Sequence, residues 1–93
     1  MIVFEWHPAK GASNLLKHSV SFEEAASVFD DVLAAVYENP DHSTSENRYL
    51  IIGNSALGRL LIIAYADRRE RIRIISARQV TKKERELYEE EKR

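Results

Sequence analysis

No stretch of this chain constrains its fold more than the run Leu60-Leu61-Ile62-Ile63-Ala64-Tyr65. An apolar run this short, closed off by turn residues, reads as a strand buried on both faces. Before it, Asn54-Ser55-Ala56-Leu57-Gly58 closes a hairpin between a strand over Arg48–Ile52 and this one over Arg59–Tyr65. After it, the charged turn Asp67–Glu70 leads into a last strand over Arg71–Ala77. Three strands joined by hairpin-length connections predict an antiparallel sheet.

Helices flank that core. Pro8 suits a first helical position, and Ala9, Ala12, Leu15 and Leu16 share a face up to about Lys17. Ser21-Phe22-Glu23-Glu24 reads as a capping box for a second helix that ends at Asp30-Asp31. Thr81-Lys82-Lys83-Glu84 reads as another, opening a helix toward Glu91 on which only Leu87 and Tyr88 are candidates to bury. Short strands over Ile2–Trp6 and Val32–Glu38, and a polar loop over Asn39–Ser45, complete the order β-α-α-β-β-β-α. The expectation is one α+β domain over residues 1–93, its antiparallel sheet packed against helices on one side.

Composition enters through charge. The net charge of −1 conceals a segregation along the chain. Ser19–Asn47 holds seven acidic residues and no lysine or arginine, whereas Arg68–Arg85 holds eight basic residues against Glu70 and Glu84. An arginine-rich local field attracts polyanions whatever the total. Cysteine is absent, which removes disulfides and thiolate metal sites. No apolar run is long enough to span a bilayer, and the first residues lack the pattern of a signal peptide. A soluble, cytoplasmic chain is expected.

Alternation in Arg71-Ile72-Arg73-Ile74 sends both arginines to one face. Arg78 lies just past that strand, and Lys82, Lys83 and Arg85 follow on the first turns of the last helix. Guanidinium forks beside a helix N-terminus suit phosphate. The plainer reading is a row of arginines balancing Glu84, Glu86 or the acidic middle segment. His7, His18 and His42 lack metal-site spacing, so no metal or other cofactor is expected. Lys17 or His18 beside a phosphate could transfer protons, although a histidine at a helix C-terminus is also plainly structural. Trp6 and Tyr88 could stack on bases or pack in the core. Gly-rich phosphate loops and hydrolase elbows are missing, which disfavours nucleotide-cofactor enzymes and standard hydrolases.

Set together, Phe4-Glu5-Trp6, Pro8-Ala9-Lys10, Asn14, Lys17-His18, Val20–Ala25, Phe29-Asp30-Asp31, Asp41-His42-Ser43, Glu46, Arg48, Ile52-Gly53, Arg71–Arg78, Glu84-Arg85 and Tyr88 form a signature. By it the chain resembles the BrnT family of toxins from type II toxin–antitoxin operons. The resemblance implies a RelE-like fold and a ribonuclease that arrests translation. It also implies a BrnA-type antitoxin that binds operator DNA and assembles with the toxin, as a 2:2 heterotetramer. His7 stands where the family usually has Asp, and losing that cap should cost about 1 kcal/mol. Ser19 replaces a common Gly, so a left-handed turn there is less comfortable.

On this reading the chain cleaves single-stranded RNA without a metal, by attack of the ribose 2′-OH on the adjacent phosphate. Arg73 and Arg78 hold the scissile phosphate, and Lys17 or His18 moves protons. Arg48, Arg71, Lys82, Arg85 and Tyr88 bind the RNA. The alternatives are a non-catalytic nucleic-acid- or partner-binding module on the same basic face, and an inactivated toxin kept for operon regulation.

Overall fold

The structure is a computed structural model that describes residues 2–39 and 47–92. The Asp41-His42-Ser43 and Glu46 positions of the signature, and most of the expected polar loop, lie outside those residues. Along the chain come β1 (Val3–Glu5), α1 (Pro8–His18), α2 (Phe22–Ser27) and a 3-10 turn (Val28–Asp30). Then follow β2 (Ala35–Glu38), β3 (Asn47–Asn54), β4 (Leu60–Arg68), β5 (Arg71–Gln79) and α3 (Lys82–Glu91).

The five strands form one sheet in the order β1-β5-β4-β3-β2. The doubly apolar run is indeed central: β4 has neighbours on both sides. The sheet is mixed, however, not purely antiparallel. β1 pairs parallel with β5, Val3 to Arg71 through Glu5 to Arg73, while the other three pairings are antiparallel. Nothing local to residues 2–6 announces a partner almost 70 positions later, because a parallel pairing needs no turn of its own.

One face of the sheet carries the core. Tyr49, Ile51, Leu61, Ile63, Tyr65, Ile72, Ile74 and Ala77 meet Phe22, Ala25 and Val28 there, with Phe4, Trp6 and Phe29 at the margin. Gly53 lies under this layer, where a Cβ would stand 2.8 Å from the Ala34 Cβ, too close for any side chain. The helices are not all on that side. Tyr88 of α3 is buried and donates its hydroxyl to the Leu33 carbonyl at 3.1 Å, and Tyr37 of β2 donates to the Glu91 carboxylate at 2.5 Å. Tyr37 and Ile52 project opposite to Ile51, so α3 crosses the second face, over its β2–β3 end. That carboxylate pushes the Tyr37 hydroxyl up to about 12.

Local expectations differ in instructive ways. Val32 and Leu33 form an exposed turn, pinned by the Asp31 carboxylate accepting from the Leu33 N–H, so β2 begins only at Ala35. The second box is complete at Thr81 and Glu84. The first is half made. Ser21 accepts from the Glu24 N–H, but the Glu24 carboxylate is taken by Arg59 and Ser55. The cap expected to be missing at His7 is present, because the ring Nδ1 accepts from the Ala9 N–H at 3.2 Å. Ser19 does sit in the left-handed region, at φ 56°.

Candidate active site

The face not covered by α1 and α2 owes its character to one extra residue. Along β4 and β5, Ala64 pairs with Ser76 and Tyr65 with Ile74, which leaves Ile75 as a bulge. Strict alternation would place Arg78 on the core side with Ile72 and Ile74. The bulge reverses the sense, so Arg71, Arg73, Ser76 and Arg78 all project from the open face. β5 also runs two residues further than the sequence suggests, and Arg78 stands within it.

Register then fixes what lies beside each arginine. Arg48 of β3, Ala66 of β4, Arg73 of β5 and Glu5 of β1 form one row across the sheet. The next rows are Leu50, Ala64 and Ser76, then Ile52, Ile62 and Arg78. Two strand spacings separate Arg48 from Arg73, about 9–10 Å between their Cα atoms. Only alanines lie between the outer strands in the first two rows; Ala66 is fully buried beneath its neighbours, and the surface opens into a trough from Ala64 towards Arg78. Leu50, Ile62, Ala64, Ser76 and Arg78 enclose a cavity of about 120 Å³ within it.

Arg73 and Arg78 are not idle. The Arg73 Nη1 lies 3.6 Å from the Glu5 carboxylate. Arg78 donates from Nη1 to Glu84 Oε1 at 2.8 Å and from Nη2 to Glu84 Oε2 at 2.9 Å, and Nη1 also reaches the Gln79 carbonyl. This pair, with help from the Thr81 N–H, holds the Glu84 carboxyl down at about 2 and keeps Arg78 protonated. The anion beside the α3 N-terminus is therefore the chain's own Glu84. Of the five guanidinium donors, Nε–H and the second Nη2–H have no partner among the described residues. They lie along one edge and point in parallel, as phosphate recognition requires.

Lys17 and His18 belong to α1, which takes over the β5 edge where β1 stops. Asn14 joins the two: its amide donates to the Ala77 carbonyl at 2.8 Å and to Val20, and accepts from the Ala77 N–H at 3.1 Å. Lys10, Ser13, Asn14, Lys17 and His18 form an open cavity of about 220 Å³ with Ile75 and Ser76. Ser76 lines both this cavity and the trough and stands between the two. Lys10 and Ser76 escaped the sequence reading. Their signals were a seven-residue spacing from Lys10 to Lys17, which keeps one helical face, and the bulge, which had none.

The remaining candidates fall elsewhere. Lys82 is exposed and stands away from Glu84 and Tyr88, the sheet-facing side of α3, and Arg85 is exposed at the margin of that side, three residues before Tyr88. Tyr88 lies buried against the sheet and offers no ring face for stacking. Trp6 packs edge-on to Phe22 at the core margin. Arg48 and Arg71 are on the open face.

A family model described as "Ribonuclease toxin, BrnT, of type II toxin-antitoxin system" matches residues 6–84. The chain belongs to the BrnT toxin family. Among curated proteins none matches it. The BrnT match spans α1, α2, the four strands β2–β5 and the Arg78–Glu84 pair. It leaves out Arg85, Tyr88 and all of β1. BrnT toxins are ribonuclease toxins of type II systems, so an antitoxin partner goes with this chain. None of the described helices is long and apolar enough to cross a membrane.

Proposed function

We propose that this BrnT chain is a metal-independent endoribonuclease whose scissile phosphate lies in the trough between Arg73 and Arg78. The observation that carries the reading is the bulge at Ile75, which turns Arg78 onto the face of Arg71 and Arg73. Three arginines on one face serve phosphate better than solubility, since like charges gathered on a sheet oppose one another.

In this reaction the ribose 2′-oxygen attacks the adjacent phosphorus as its proton leaves to a base. The P–O5′ bond breaks, and the departing oxygen takes up a proton, giving a 2′,3′-cyclic phosphate and a 5′-hydroxyl. Arg73 and the free edge of Arg78 stabilise the charge that grows on the phosphoryl oxygens. Arg48 and Arg71 position the strand. Lys17 or His18 moves the protons from across Ser76. Lys82 and Arg85 would act only on flanking RNA. The site needs no ion for charge stabilisation when guanidinium groups supply it.

The fold is read as RelE-like, and cleavage of translated RNA arrests protein synthesis in the cytoplasm. A BrnA-like antitoxin, assembling 2:2 with this chain, covers the arginines and carries the complex to operator DNA. A second reading has its own support. Arg78 paired with Glu84 and Arg73 beside Glu5 also suit a non-catalytic nucleic-acid- or partner-binding module.

The test uses purified protein and an RNA oligonucleotide cut at one site, in the presence of EDTA. Cleavage should persist, and a single 2′-deoxyribose at the cut should block it. Cutting the deoxy substrate as fast as RNA, or losing all activity to EDTA, would overturn the mechanism.

A further inference from the structure

The trough does not end at Arg73. Two residues on, about 6.6–6.8 Å along β5, the next open-face row pairs Arg71 directly with Arg68 of β4. Beyond them Arg69 turns the hairpin in the left-handed region, at φ 67°. Its N–H is fixed by the Asp67 carboxylate at 3.0 Å. Glycine would adopt that backbone without strain, and arginine does not. Arg68 directly opposite adds a second guanidinium group to the same row. The Arg69 backbone disfavours the hairpin locally, and both positions add guanidinium groups at one place. Arg68, Arg69, Glu70 and Arg71 line an open hollow of about 370 Å³ there.

We propose that this β4–β5 tip is a second phosphate subsite, which holds the backbone of the same RNA strand beside the phosphate in the trough. The proposal rests on the trough being the RNA site. Arg73 and Arg71 follow each other on one face at a step that neighbouring phosphates of an extended strand can match. Arg69 and Arg71 are exposed, and neither has an ion pair among the described residues. The ligand is a phosphodiester chain, because the hollow is lined by three arginines and a glutamate, with no aromatic or aliphatic residue to hold a base or an apolar side chain. RNA entering the trough thus leaves it over the hairpin tip, away from α3.

The subsite is tested by binding, which needs no catalysis. A fluorescent single-stranded RNA carrying 2′-O-methyl at every position cannot be cut, and its affinity is measured between about 50 and 200 mM salt. Each phosphate contact to a single strand contributes about 0.7 to the slope of log K against log salt. Arg69→Ala with Arg71→Ala should therefore lower the slope by about 1.4. Lys83→Ala with Lys92→Ala removes the same charge from α3 and should leave the slope unchanged. An unaltered slope in the tip variant overturns the subsite, and so does an equal fall in the α3 variant. If wild type cuts RNA while the tip variant keeps its slope, the subsite fails together with the positioning role of Arg71, and the cleavage reading stands. If wild type cuts nothing yet the slopes differ as stated, only the cleavage reading fails. No binding by wild type overturns both.

Discussion

Arg78 and Glu84 divide between them two jobs that usually fall to separate residues. Glu84 Oε1 accepts from the Thr81 N–H and from Arg78 Nη1, so one oxygen both caps α3 and orients a guanidinium. Glutamine preserves the capping geometry but not the charge pair. Glu84→Gln should thus keep the helix, read by circular dichroism, while RNA cleavage falls about tenfold as Arg78 loses its fixed edge. An unchanged rate would show that Arg78 needs no such support. Ser19 offers a test on stability alone. At φ 56° it sits where glycine is unstrained, and Ser19→Gly should raise stability by about 0.5–1 kcal/mol in a denaturant titration. A loss would mean that the serine contributes more than its backbone costs.

Elements obey the sequence where their causes are local. The hairpin turns, the box at Thr81 and the apolar run of β4 are short-range signals, and each appears where those residues imply. The bulge at Ile75 had no such signal. Ile74-Ile75-Ser76 contains no glycine and reads as unbroken strand, yet the extra residue falls where β1 has ended as a neighbour after Arg73 and α1 takes over the edge. The face of Arg78 followed from that event, not from alternation. Val32–Ala34 looked like strand because it is apolar, and it is instead a turn held by Asp31. Asn14 is the other tertiary device, replacing a strand neighbour for Ala77 with one amide. Asn14→Ala strands a buried N–H and two carbonyls, and should destabilise the fold by about 3 kcal/mol. A change under about 0.5 kcal/mol in chemical denaturation would mean that water replaces the amide without loss.

Across the whole molecule, charge segregation along the chain becomes segregation across the sheet. Glu23, Glu24, Asp30 and Asp31 lie in the layer over the core face, whereas Arg48, Arg68, Arg71, Arg73 and Arg78 point from the other. Such a distribution steers a polyanion to one side while the total stays near neutral. Carboxylates on both faces set the pH response. Arg59 lowers the Glu24 carboxyl, backbone N–H groups of Asn54 and Leu33 lower Asp31, and Arg78 holds Glu84 at about 2. Each folded value lies below the ordinary one. Their stabilisation is complete above that ordinary range, near 4.5 for Glu and 3.8 for Asp, and disappears as pH falls through the folded values. The melting temperature should drop between about pH 4.5 and pH 2. A drop already complete by pH 5.5 would assign acid sensitivity to other groups.

The central claim is that the trough arginines perform chemistry and do not merely balance carboxylates. Its most direct test is the cleavage rate of one RNA oligonucleotide in EDTA, by wild type and by Arg73→Ala with Arg78→Ala. Both proteins must show the same cooperative melting. Wild type should cleave, and the variant should fall by about 100-fold or more, the scale expected when charge-stabilising donors are removed. A folded variant that cuts as fast as wild type would contradict it.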